Sequence, residues 1–209
     1  MRTSDGQIIA PETHYQAIVI GGSAGSTVII AEILSRLPHD FPIPILVVQH
    51  LHESDDGSFA EHLARTCQLR VLVPCDKRQI QKGCVFVAPA DYHMLLERGG
   101  TIALSVDEKV NWSRPSIDVL FESAAHAYGT NLIAVILSGA NADGADGMKT
   151  VKSCGGLIIA QSPESAESPV MPKASIEASH PDYIRKPAEI ANLLVELGTR
   201  SAPRRSRHA

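Results

Sequence analysis

Apolar and polar positions divide this chain into short aliphatic runs separated by stretches of helical spacing. Ala17-Ile18-Val19-Ile20 is the first run, stopped by Gly21-Gly22, and predicts a buried strand. Val28, Ile29, Ile33, Leu34 and Leu37 then recur at helical spacing until Pro38. Residues 43–48 predict a second strand closing on Gln49-His50, residues 58–67 a helix, and residues 69–73 and 84–88 two further apolar runs. Leu95-Leu96, Gly99-Gly100 and Ile102-Ala103-Leu104 predict an antiparallel hairpin with a short glycine turn. Pro115 suits the first turn of a helix reaching to about Tyr128. Residues 132–137 form the most hydrophobic run, and a helix over 144–154 precedes another run at 157–160. Residues 163–169 predict a loop, 172–178 the start of a helix and 188–197 the last helix.

Strands that are apolar on both faces and alternate with helices imply a mostly parallel sheet covered on both sides. The predicted fold is therefore a single doubly wound α/β domain over residues 15–198, with helices on both faces and the antiparallel hairpin at one edge. A flexible leader over 1–14 and a flexible basic tail over 199–209 complete the expected organisation.

Composition narrows the class without changing that fold. The 209 residues are 44% hydrophobic, 20% charged and only 4% aromatic, an ordinary globular balance with an aliphatic core. No apolar run approaches the roughly 18 residues that span a bilayer, and the first seven residues lack the apolar core of a signal peptide. A cytoplasmic location without membrane insertion is expected. The last ten residues hold Arg200, Arg204, Arg205 and Arg207 and no acid, which leaves 15 basic against 23 acidic residues over 1–199. That net charge of −8 argues against a nucleic-acid partner, and the tail is expected to be a solvated end. Cys67, Cys75, Cys84 and Cys154 form no C-x-x-C and are expected to be reduced and structural.

In open α/β sheets ligands bind beyond the carboxyl ends of the strands, so the polar residues that directly follow the apolar runs are the candidates. Gly21-Gly22-Ser23-Ala24-Gly25 satisfies G-x-S-x-G between a strand and a helix, the setting of a nucleophile elbow. A phosphate-binding turn, or simply a tight joint, is the competing reading. His50 directly follows the second strand and is a candidate general base. His52 lies farther into the loop, and no third ligand completes a metal site with the two. After the run at 132–137 come Asp143 and Asp146, either of which could orient a histidine or cap a helix. The acidic pattern breaks off after Asp146, against a calcium loop. The chain order Ser, His, Asp differs from that of α/β-hydrolases, but a triad is defined by geometry rather than order.

Taken together, these segments resemble the catalytic domain of the bacterial chemotaxis protein-glutamate methylesterases, the CheB family. The matching pieces are the Gly-Gly-Ser23-Ala-Gly turn, Val47-Val48-Gln49-His50, the segment from Arg114-Pro115-Ser116-Ile117-Asp118 to Phe121, Val135-Ile136-Leu137-Ser138-Gly139, Asp143-Gly144-Ala145, Gly155-Gly156 and Met171-Pro172-Lys173-Ala174. The resemblance covers residues 18–190. It implies hydrolysis of glutamate γ-methyl esters on the cytoplasmic helices of chemoreceptors, with release of methanol; some members also deamidate receptor glutamines. It places the nucleophile on Ser23, the base on His50 and the acid on Asp143, and it implies neither cofactor nor metal.

The sequence departs from the family pattern in three places: Ser26 replaces a glycine, Gly139-Ala140-Asn141 replaces Gly-Met-Gly, and Ser113 replaces a histidine. Fourteen leader residues do not encode the family's receiver domain, so a stand-alone esterase domain without phosphorylation control in cis is expected. The expected oxyanion donors are backbone N–H groups around Ser23-Ala24 or Asn141. A nucleotide- or phosphosugar-binding α/β domain and a catalytically idle receptor-binding adaptor are the alternatives.

Overall fold

The computed structural model describes residues 14–201. Residues 1–13 of the 1–14 leader and tail positions Arg204, Arg205 and Arg207 lie outside these residues. In chain order the elements are β1 (Ala17–Gly22), α1 (Ser26–Ser35), β2 (Ile45–Gln49), α2 (Ser58–Thr66), β3 (Arg70–Leu72), β4 (Arg78–Gln79), β5 (Cys84–Val87), β6 (His93–Glu97), β7 (Thr101–Ser105) and α3 (Ile117–Tyr128). They continue with β8 (Leu132–Ile136), α4 (Ala145–Ser153), β9 (Leu157–Gln161), α5 (Val170–Ser179), β10 (Tyr183–Arg185) and α6 (Pro187–Ser201).

Seven strands form one parallel sheet in the order β10-β9-β8-β1-β2-β5-β3. Because successive strand residues face opposite sides, one strand feeds two cores. Ile18 and Ile20 of β1 pack with α1, α2 and α6, whereas Ala17 and Val19 pack with α3, α4 and Met171 of α5. That double burial is why the strands lack polar alternation.

The hairpin β6–β7 forms as its pattern predicts, but it does not extend the edge of the parallel sheet. It pairs with β4 in a separate three-stranded antiparallel sheet, and Met94, Leu96 and Ile102 join the core over α3. Pro115 is not in the first helical turn: Ser116 is the N-cap of α3, its hydroxyl accepting from the Val119 N–H, and Pro115 lies just outside. The loop predicted over 163–169 includes a short 3₁₀ turn, Pro163–Ser165, and α5 begins two residues earlier than expected. Residues 199–201 continue α6, where the Ser201 hydroxyl accepts from the Tyr15 N–H at 3.2 Å. Among the described residues no helix is long and apolar enough to cross a membrane.

β1 is the central strand, flanked by β2 on one side and β8 on the other. The chain leaves β1 toward β2 and returns to its other side as β8, so the strand order reverses there. A crevice at the carboxyl ends is the expected consequence.

Candidate active site

Ser23 is the first residue beyond β1. Gly25 then adopts φ 77°, the left-handed conformation, to start α1, and a Cβ at that position would stand 2.6 Å from Glu167 Cβ. Glycine relieves both constraints. Ser23 is half-buried, and its N–H donates to the Ser138 carbonyl at 2.9 Å. Its own carbonyl accepts from the Ser26 hydroxyl at 2.6 Å and from Gln49 Nε2 at 2.9 Å. Ser26 is fully buried and also meets Gln49 Oε1, so a serine at this departure from the family pattern braces the elbow against the end of β2.

His50 directly follows β2, and its N–H donates to the Gly22 carbonyl at 3.1 Å, which continues the β1–β2 ladder by one step. The backbone thus sets the base candidate beside the nucleophile candidate on adjacent strands. His50 Nε2 lies 2.8 Å from Asp143 Oδ2, with the histidine side chain 13% exposed and the carboxylate fully buried. Against an ionised Asp143 the Nε2 proton donates, leaving Nδ1 as the basic nitrogen. Among the described residues Ser23 Oγ makes no hydrogen bond to His50; such bonds commonly tighten only when substrate is bound.

Asp143 follows β8 and lies at the N-terminus of α3. Oδ2 accepts from the Ile117 N–H at 2.7 Å, while Oδ1 accepts from the Ser116 hydroxyl at 2.8 Å and the Asp118 N–H at 3.3 Å. Burial alone would push this carboxyl upward. The bond from His50 and those from Ile117 and Ser116 instead hold it below the usual carboxylate range. The positive end of the α3 dipole favours the same anion.

Asp118 lies beside it, 5% exposed, and is pushed up to about 7 by burial and by the nearby Asp143 charge, although a bond from the Gly147 N–H opposes the shift. Asn111 Nδ2 bridges the two acids, 2.7 Å from Asp118 Oδ2 and 3.3 Å from Asp143 Oδ1. The pattern of one low and one raised carboxyl fits two buried acids sharing limited neutralisation.

The remaining candidates separate from this group. Asp146 is exposed in the first turn of α4, and its side chain makes no hydrogen bond among the described residues, so it does not even cap the helix. His52 lies in an exposed loop with Nδ1 2.8 Å from Ser54 Oγ. Asn141 turns its Oδ1 to the Asp143 N–H at 3.2 Å. Of the expected oxyanion donors the Ser23 N–H is already engaged, whereas the exposed Ala24 N–H has no acceptor among the described residues. Sequence reasoning missed Ser116 and Asn111. Ser116 carried a usable signal, a serine just before a helical apolar pattern; Asn111 carried none.

The family model described as CheB methylesterase matches residues 18–194. A Leptospira interrogans protein, provisionally named for protein-glutamate methylesterase and protein-glutamine glutaminase activities, is 46% identical over 88% of this chain and 95% of its own. The protein-glutamate methylesterase/protein-glutamine glutaminase of Thermotoga maritima is 36% identical over 91% of this chain but 56% of its own. A Syntrophus aciditrophicus enzyme of the same name is likewise matched over 54% of its length, so the chain spans about half of these two relatives. The crystal structure of the Thermotoga maritima CheB methylesterase catalytic domain superposes with a TM-score of 0.84 at 36% identity, covering 88% of this chain and 98% of that one.

Proposed function

We infer that this chain, which belongs to the CheB methylesterase family, is a cytoplasmic serine hydrolase that removes methyl esters from glutamate side chains on the helices of bacterial chemoreceptors. One observation carries the reading of the site: the His50–Asp143 hydrogen bond of 2.8 Å lies at the carboxyl ends of the two strands that flank β1, from which Ser23 emerges.

The chemistry follows from those positions. Ser23 Oγ attacks the ester carbonyl while His50 Nδ1 takes its proton, and Asp143 holds Nε2–H so that Nδ1 is the basic nitrogen. The oxyanion is held by the free Ala24 N–H near the start of α1. Collapse breaks the bond to the methoxy group, which leaves as methanol with the proton from His50. Water then attacks the acyl-serine, again giving its proton to His50, and releases glutamate and Ser23. A glutamine side chain would follow the same path with ammonia as leaving group. The phosphate-turn alternative is weakened because the Ser23 N–H, one of the donors such a cradle would need, is bound to Ser138.

The test is a fluorophosphonate probe with the labelled residue mapped by mass spectrometry, alongside methanol release from methylated receptor. Labelling at Ser23 in native protein, lost on unfolding, is expected together with methanol release. Folded protein that takes no label and releases no methanol would return the chain to the binder or adaptor class.

A further inference from the structure

The segment between β7 and α3 is a short loop held from every side. Arg114 donates to the carbonyls of Val106 and Asp107 at 2.8 and 2.9 Å and pairs with Asp91 at 2.6 Å. Buried His93 lies 3.0 Å from the Glu108 carbonyl, and Lys109 pairs with Glu53 from the loop after β2. Val110 and Ser113 exchange backbone hydrogen bonds, and Asn111 is anchored on Asp118 and Asp143.

This anchoring presents an apolar surface rather than hiding one. Val106, Val110 and Trp112 are 65%, 37% and 96% exposed, and Trp112 is the most exposed large hydrophobic residue among those described. Asn111 and Trp112 both adopt positive φ, 51° and 64°, a conformation that non-glycine residues rarely take without cause. Trp112 borders a cleft of about 440 Å³ together with His50, His52, Lys109 and Arg114. A solvent-exposed aromatic carried on an anchored loop beside the cleft that His50 lines has the profile of an interface anchor, because the backbone part of the ordering cost has been met before the partner arrives.

We propose that Trp112 is a specificity-determining contact for the receptor: its indole seats the apolar face of the helix whose ester enters the cleft beside His50. The proposal rests on the methylesterase reading of that site. The occupant follows from continuity, since the cleft that Trp112 borders is also lined by His50, so a receptor segment seated on Trp112 reaches the candidate base. A helix offers an apolar side chain three or four residues from the ester on the same face.

Trp112 is the chain's single tryptophan, which makes the test direct. The Ser23→Ala protein is titrated with a methylated, tryptophan-free cytoplasmic fragment of a chemoreceptor, with binding followed independently by calorimetry. A saturable blue shift of the emission, tracking the calorimetric isotherm, is expected. In active protein, Trp112→Ala should raise KM for the fragment tenfold or more and change kcat much less, and Trp112→Phe should recover most of the loss. Thermal midpoints of both variants check that they fold. Binding without any emission shift, an unchanged KM in folded Trp112→Ala, or a shift that needs only high protein concentration and no receptor would each overturn the proposal. Failure of the methylesterase reading shows separately, as wild-type protein that releases no methanol.

Discussion

Asp143 accepts five hydrogen bonds at 3.3 Å or less, from His50, Asn111, Ser116, Ile117 and Asp118. The carboxylate therefore holds the His50 ring and ties the start of α3 to the turn after β8. Asp143→Asn keeps the shape but favours the wrong histidine tautomer, so kcat is expected to fall on the order of 10⁴, as for the equivalent change in serine proteases. It also removes one acceptor at a helix N-terminus, with an expected loss of about 1–2 kcal/mol in stability. Asp146→Asn, exposed and unbonded, should change neither activity nor denaturation midpoint. The reverse result in kinetics and urea titration would reassign the acid. Ser23→Ala and His50→Ala should each reduce turnover to the background, and the double variant hardly further, because the residues act as one unit.

Its neighbour Asp118 gives a pH signature of opposite sign. The folded carboxyl, at about 7, keeps a proton that the unfolded chain loses near its ordinary value of about 3.9. The folded state then binds more protons than the unfolded one over that interval, so this group's contribution is complete at low pH and is lost as pH rises from about 4 through 7. Replacing it with asparagine should flatten the fall in unfolding free energy across that window. Denaturant titrations at pH 4, 5.5 and 7 would reveal this, and parallel curves for wild type and Asp118→Asn would show that Asp118 is ionised throughout.

At the scale of elements, the site depends on turns more than on strands. Gly144 links β8 to α4 with φ 95°, and a Cβ there would stand 2.7 Å from Ile136 Cδ1 and 2.8 Å from Ile117 Cγ2. Gly144→Ala is therefore expected to cost about 1–3 kcal/mol through both strain and crowding. By moving Asp143, one residue away, it should also lower kcat. Gly83→Ala is the comparison: its φ is 71° but nothing lies within 4 Å of the added carbon, so it should lose roughly 1 kcal/mol and no activity. Equal kinetic losses for the two would separate activity from the geometry of the β8–α4 turn. The main strands and helices were legible because double burial writes uninterrupted aliphatic runs, as at Leu132–Ile136. The short strands β4 and β10 were not, since Arg78-Gln79 and Tyr183-Ile184-Arg185 are too short and too polar to carry a period. Ser23 and His50 were legible as polar residues just past apolar runs, whereas Asp143 and Asp146 both qualified by position and only the family resemblance chose between them. The support from Asn111 and Asp118 was not, because it depends on a loop and a helix that meet only after folding.

For the molecule as a whole, the two cores meet at a single layer of backbone. Ile20 belongs to one and Leu120 to the other, both fully buried, and β1 supplies alternate side chains to each side. Neither face can open without stripping apolar cover from the strand that also feeds the opposite face. Ile20→Ala and Leu120→Ala should each cost about 2–5 kcal/mol, a large part of the 5–15 kcal/mol typical of a domain. Each should nevertheless unfold in one transition. Far-UV circular dichroism is the probe to use, because Trp112 is already 96% exposed and its emission would barely change on unfolding. On the proposed mechanism methanol release needs residues from the ends of β1, β2 and β8 together, so it should disappear over the same urea range as the dichroism. Activity lost well before the dichroism would mean that the carboxyl-end turns open as a separate unit from the sheet that carries them.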